Sequence, residues 1–484
     1  MNFLAQNFSK RDVYKEDILD YIENNKIKIL NFCYTGSDSK FKQLSFPATD
    51  MSYIDSVLSL GERTAGVFPG AKEESADLYI IPRYRDAFPD PFTAIPALNI
   101  LCSFFDKDGN ALDIMPENIL KNAVSRFEKE TGLTLKAAGE LEYFVIYPNT
   151  YDLFNTHKKH YHDSSPFAVW EDMRNEILDT LAFLKIPVKY AHTESGKIKY
   201  NDNFSAEQHE IEFLPVPICE AAENVVISKW VVCSIAKKYG VSTTFAPVAK
   251  YGETGTGLHF HLELLQGKKN IVFDANGQLS TESQKMIGGM LKFAPSLTAF
   301  GNPIPISYLR FMSKKDAPSA ICWGERNRKA LVRIPLGWQD TENKMMSVAN
   351  PGSENIFLPD ATPTIEFRPA DGTAAVQLLL AGLVVAIENG LKDNSILDIT
   401  KKLYVAERET LKEGLEILPL SCEESAEALK KDRTYYEKDR IFPPELIDNV
   451  IKDLLAFKEE DAIIHNPDKN KEKIPQLVEK YLHY

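Results

Sequence analysis

Several things that would settle a class at once are scarce in this 484-residue sequence. Its six cysteines, Cys33, Cys102, Cys219, Cys233, Cys322 and Cys422, are scattered without C-x-x-C spacing, which excludes a small disulfide framework and a cysteine zinc site. They read as reduced and structural. Basic excess is missing too: 56 lysines and arginines stand against 69 aspartates and glutamates, and a net charge of −13 argues against non-specific nucleic-acid binding. The longest apolar run, Ala374 to Ile387, is too short to span a bilayer and reads as a buried core helix ending at Gly390. The opening MNFLAQNFSKRD turns polar at once, unlike a signal peptide, so the chain is expected in the cytoplasm without a membrane partner. No repeat of solenoid or propeller period is present.

What is present begins with ordinary globular composition, 44% hydrophobic and 26% charged, in a chain long enough for two to four domains. The stretch Lys250 to Leu265, KYGETGTGLHFHLELL, sets Gly252, Thr254, Gly255, Thr256 and Gly257 ahead of a run carrying His259 and His261. A strand alternates its faces, so those histidines share one side, and the glycines permit close approach of backbone amides to a ligand. Taken alone, the stretch also fits a flexible hairpin leading into an edge strand. Three more runs repeat the pattern, with Glu140 and Glu142 in GELEYF, Glu210 and Glu212 in QHEIEF, and Glu366 and Arg368 in TIEFRPAD. A face made of carboxylates, imidazoles and guanidinium groups cannot be an ordinary core, because unpaired buried charge costs too much. It is either wet or a site, and Glu with His points to divalent metal, Arg to phosphate or carboxylate.

In order, the chain predicts an α+β protein. Residues Asp17 to Asn25 read as a helix, and Lys26 to Tyr34, Phe41 to Pro47, Asp77 to Pro82 and Asn99 to Phe105 as strands. A glycine-punctuated loop runs from Gly61 to Gly70, and a domain boundary near Leu112 divides the chain into 1–111 and 112–484. Beyond it come a helix from Pro116 closed by Gly132, the strand of Glu140, a helix from Glu171 to Leu184, and a strand from Val188 to Thr193 leading to Glu194. Helices over Glu220 to Tyr239 and Thr281 to Phe300, a hairpin around Asn276 and Gly277, and a charged, largely helical last third with segments Glu407 to Lys430 and Pro444 to Phe457 complete the reading.

The ordered motifs GELEYF, Glu194, QHEIEF, TFAP, GETGTGLHFH, NPIPISYLRF, DAPSAICWGERNRKALVRIP and TIEFRPAD resemble the glutamine synthetase family, in its bacterial class. The resemblance implies a small N-terminal β-grasp domain followed by a catalytic domain with a curved antiparallel sheet and surrounding helices. It further implies that Glu142, Glu194 and Glu210 hold one divalent metal near the amino-acid substrate, and that Glu140, His259 and Glu366 hold another bridging ATP phosphates. The ions would be Mg2+ or Mn2+, two to three per site. Arg310 and Arg368 would grip glutamate with a backbone contact from Gly255, and Arg328 and Arg333 would face phosphates. His261 would either support the nucleotide or pack. The same resemblance implies a homo-oligomeric ring, usually a dodecamer, with glutamate, ATP and ammonia or an amine as small-molecule partners.

The sequence departs from that pattern in places. Thr254 stands where the family usually has an asparagine touching substrate, Glu263 where it has a serine near ATP, and Thr364 where it has an arginine. Asp316 replaces the glutamate that guards the ammonium site and is the candidate base. Gly61 occupies the place of the ammonium-binding aspartate, and an insertion, GKIKYNDN, separates Glu194 from Glu210. Tyr404, where some bacterial relatives are nucleotidylated, reads here as an ordinary tyrosine. Three functions follow: a glutamate–ammonia ligase, a γ-glutamyl ligase for a larger amine, or a catalytically silent assembly protein.

Overall fold

The computed structural model describes residues 12–36, 40–65, 77–151, 160–313, 317–337, 342–352, 363–407, 409–411, 413–467 and 469–483. The architecture is α+β, with two sheets. The smaller is built from β1 (Ile29–Thr35), β2 (Phe41–Pro47), β3 (Glu62–Thr64), β4 (Leu78–Pro89) and β5 (Ala97–Phe105), in the order β2-β1-β5-β4-β3. Its β1–β5 pair is parallel and its other pairs are antiparallel. A helix that the sequence reading missed, Met51–Leu60, crosses between β2 and β3. Asp50 caps it by accepting from the Ser52 amide, and Gly61, at φ 68°, ends it.

The larger, curved sheet has ten strands: β6 (Thr134–Pro148), β7 (Val188–Lys199), β8 (Phe204–Phe213), β9 (Val216–Pro217), β10 (Ser242–Thr244), β11 (Leu258–Gln266), β12 (Lys269–Asn270), β13 (Trp323–Glu325), β14 (Val332–Ile334) and β15 (Ile365–Phe367). Its main path runs β13-β14-β15-β11-β6-β8-β7. The helix Ile218–Tyr239 packs on it, and Val376–Lys392 packs in turn on that helix and on Thr281–Gly301. Val376–Lys392 carries the apolar run expected to be a core helix and continues two residues past Gly390, because Gly390 lies against the backbone of Gly289 rather than in a turn. Among the described residues no helix is long and apolar enough to cross a membrane.

Two other expectations need correction. The strand read as ending at Thr193 runs on to Lys199, so that the GKIKYNDN insertion extends a β7–β8 hairpin instead of forming a loop. The segment from Glu407 is non-helical among its described residues until Cys422, where Ser421 caps the helix Cys422–Tyr436. The expected turn at Asn276–Gly277 is present, but it is closed by a single bridge between Phe273 and Leu279.

One buried ionic cluster ties the smaller sheet to the rest. Arg83 of β4 reaches Asp86 (2.9 Å), Glu117 (3.7 Å) and Glu223 (2.6 Å), the last two on the helices Pro116–Thr131 and Ile218–Tyr239. Removing Arg83 leaves carboxylates facing each other with little access to water, and breaking such a pair costs about 3 kcal/mol or more. Arg83→Met is therefore expected to lower unfolding free energy by about 3 kcal/mol in a urea titration, whereas an unchanged midpoint would show that the cluster adds nothing to stability.

Candidate active site

The site is written in the sheet register. Opposite residues of neighbouring strands share a face. One rung reads Tyr190, Glu212, Glu140, His259 across β7, β8, β6 and β11. The next reads His192, Glu210, Glu142. Beside them His261 pairs with Glu366 of β15, and Glu366 with Arg333 of β14. Glu194 joins the group through an irregularity. Between Thr193 and Lys197 the hairpin loses register, β7 advancing four residues while β8 advances two, and such bulges re-aim a side chain.

The side chains converge closely. His259 Nδ1 lies 3.0 Å from Glu140 and 3.7 Å from Glu366, and its Nε2 lies 3.9 Å from Glu142. His261 Nε2 is 2.7 Å from Glu140, and its Nδ1 is 2.9 Å from the Thr364 hydroxyl. Arg333 and Arg368 each donate to Glu366 at 2.9 Å. Three sets of donors have ligand atoms within 4.8 Å of one another: Glu140, His259 and Glu366; Glu142, Glu210 and His259; and His192, Glu194 and Glu210. Among the described residues the buried His259 Nε2 has no hydrogen-bond partner, and a carboxylate and imidazole set of this kind fits a divalent cation such as Mg2+ or Mn2+.

The acids are not equivalent. Burial alone would raise Glu140, but the imidazoles of His261 and His259 outweigh it and hold the carboxyl well below the usual range. Burial likewise opposes ionisation of Glu366, and Arg368 with His261 overcomes it. For Glu210 burial and the neighbouring Glu140, Glu142, Glu194 and Glu212 act together and push it well up, and burial raises Glu142 as well.

Supporting groups hold this arrangement. Glu142 accepts from the Gly257 amide (2.8 Å) and from Gln208 Nε2 (2.9 Å), which also donates to the Gly255 carbonyl, while Gln208 Oε1 accepts from the Gly196 amide. A Cβ at Gly257 would lie 2.6 Å from His259 Nε2 and 2.8 Å from Arg310 Nη2, so a larger residue there would displace those side-chain ends.

With the geometry in place, the comparison with known proteins is direct. The family described as glutamine synthetase, catalytic domain, matches residues 113–463. The chain belongs to the glutamine synthetase family. Glutamine synthetase of Pyrococcus furiosus is 29% identical over 422 residues, covering 86% of this chain and 87% of that one. That of Thermococcus kodakarensis is 31% identical over 359 residues, covering 72% and 73%. The solved structure of Plasmodium falciparum glutamine synthetase shares the fold at a TM-score of 0.75 and 20% identity, covering 94% of this chain and 97% of that one. As a member of the family the chain is a carbon–nitrogen ligase of the glutamine synthetase type.

Within this family member, all six expected metal-ligand positions fall in the converged donor sets. Arg310 sits just behind them, 2% exposed, donating to the Pro369 and Ala370 carbonyls, with Nη2 against Gly257. Arg368 is 7% exposed, and besides Glu366 it donates to the Arg328 carbonyl. Arg328 is exposed, beside the Tyr161 hydroxyl. Thr254 is half-buried in the loop, and the Gly255 carbonyl is taken by Gln208. Glu263 is buried on β11, and Tyr404 packs its ring on Trp323 at 4.8 Å. Asp316 lies outside the described residues. Gly61 has no room for an aspartate, because a Cβ there would meet the Ile80 carbonyl at 2.4 Å.

Sequence reasoning missed Gln208, His192, Tyr161 and Tyr190. Gln208 and His192 were findable, because Gln208 is two residues before Glu210 and His192 two before Glu194. Gly257→Ala is expected to weaken Mn2+ binding by about tenfold or more, measured by electron paramagnetic resonance titration, while the thermal midpoint stays near that of the parent. Unchanged affinity would mean that the Gly257 backbone does not border a cation.

Proposed function

We propose that the protein is an ATP-dependent ligase that joins glutamate and ammonia to form glutamine through a γ-glutamyl phosphate. The observation that carries this reading is the convergence of Glu140, Glu142, Glu194, Glu210, His259 and Glu366 in overlapping donor sets. In it Glu142, Glu194 and Glu210 would hold one divalent ion and Glu140, His259 and Glu366 another, together supplying positive charge to the phosphates. The γ-phosphoryl group moves from ATP to the γ-carboxylate of glutamate with departure of ADP. The nitrogen lone pair then attacks the acyl carbon and phosphate leaves, with a proton passing to a base, for which Asp316 is the candidate.

Arg310 and Arg368 are assigned to the glutamate carboxylates. Both already spend donors on backbone carbonyls or on Glu366, so substrate would meet only their remaining N–H groups. Arg328 and Arg333 are assigned to the phosphates, where planar guanidinium suits bidentate anions. His261 orients Glu140 at the nucleotide side. Division into domains 1–111 and 112–484, a cytoplasmic location and assembly into a homo-oligomeric ring, dodecameric by family habit, complete the proposal.

A larger amine as acceptor is the second reading. It is favoured by Gly61 in place of the ammonium-binding aspartate and by Thr254 in place of asparagine. Phosphate release that requires glutamate, ammonium and Mg2+ together, and that is lost in Glu140→Ala, is the expected outcome. The same release with an organic amine in place of ammonium would transfer the assignment to the second reading, and absence of ATP turnover in the wild type would leave only an assembly role.

A further inference from the structure

His192 has no part in the roles assigned above, yet it stands in the second rung opposite Glu210, 8% exposed. Its Nδ1 is 2.9 Å from the Thr193 carbonyl oxygen. A carbonyl only accepts, so Nδ1 carries a proton there and Nε2 is the ring atom left to face a second partner. Orientation of an imidazole by an Nδ1–H bond to a backbone carbonyl is the usual support of a metal-bound histidine. Nε2 points at Glu210 Oε2, 3.2 Å away. That spacing matches two neighbouring ligands of one ion, since adjacent donors with bonds of about 2.1 Å sit about 3 Å apart.

A second observation comes from the other side of Glu210. His259 Nε2, buried and without a hydrogen-bond partner among the described residues, belongs with Glu142 and Glu210 in a donor set, while His192 and Glu194 form another with the same Glu210. Imidazoles on β7 and β11 thus approach one carboxylate from opposite flanks. The rings of Tyr161 and His162 pack edge-on against His192, at 5.2 and 4.5 Å, and fix its position.

We infer that His192 is a metal ligand, joining Glu194 and Glu210 in an imidazole-containing site that takes Mn2+ in preference to Mg2+. The inference rests on the divalent-cation reading of the site and extends it from an all-carboxylate donor set to a mixed one. Nitrogen donors favour the first-row transition ions, whereas Mg2+ prefers oxygen alone.

The test uses the full chain and Mn2+ itself. Binding isotherms from electron paramagnetic resonance and the 14N modulation of bound Mn2+ are recorded for the wild type, His192→Gln and the double variant His259→Gln/His261→Gln. In His192→Gln one Mn2+ is expected to bind about tenfold or more weaker, with a smaller Mn2+ over Mg2+ preference. The double variant, in which His192 is intact, is expected to keep a 14N signal, which makes the test independent of how well His192→Gln folds. A wild-type isotherm in His192→Gln, or loss of all 14N modulation in the double variant, overturns the inference and leaves His192 as an ion-pair partner of Glu210. A wild type that binds no Mn2+ overturns the cation reading itself.

Discussion

The antiparallel register of β6 with β8 on one side and β11 on the other is the constraint on which the site depends. It places Glu140 opposite both Glu212 and His259, and Glu142 opposite Glu210. Strand side chains alternate, so a slip of one residue would send these carboxylates into the apolar layer and bring Leu141 and Ile211 to the ligand face. The register is held from that layer: Leu141, Tyr143, Ile211, Leu258 and Phe260 are fully buried. Burying the wrong parity would cost both the apolar contacts and the desolvation of several charges, so the hydrophobic side of the sheet selects the arrangement of the polar side.

The polar side is compensated unevenly. Glu366 has two guanidinium groups at 2.9 Å and Glu140 has two imidazoles, so the end of the site near β14 and β15 carries its own counter-charge. Around Glu210 the carboxylates oppose one another, and burial adds to the penalty. A strongly raised acid among like charges is a common signature of a functional location, because structural cores seldom tolerate it. The strain is localised by neutral donors: Gln208 and the Gly257 amide fix Glu142 without supplying a full charge.

Much of this was legible because charged pairs at alternate positions are unusual in strands. GELEYF, QHEIEF, HFH and IEF each fall on a strand, and the helix from Pro116 to Gly132 follows from its apolar spacing and its cap. What escaped did so for physical reasons. Met51–Leu60 is only ten residues long, and its start is set by the Asp50 cap rather than by a long apolar stripe. The course of β7 past Thr193 depends on a bulge and on Gly196, whose missing Cβ leaves space for Gln208 and Phe144, and alternation rules do not foresee a bulge. Glu407 onward looked helical from its charge, yet its chain is drawn into a bridge between Ile417 and Ala320 that only the tertiary structure supplies. Tyr161 came close to the site because Thr193 anchors its loop through the His160 and Asp163 carbonyls, a contact without local signal.

The β7–β8 hairpin ends in an exposed tip at Asn201, Asp202 and Asn203, closed by the Asn201 side chain accepting from the amides of Asn203 and Phe204. The pairs Lys197 with Glu207, Ile198 with Ala206 and Lys199 with Ser205 separate that tip from the charged rungs. Those pairs insulate the chemistry from whatever hangs on the turn. For the protein engineer the exposed tip is the part of this hairpin farthest from the functional groups, with three paired rungs between an insertion there and their spacing.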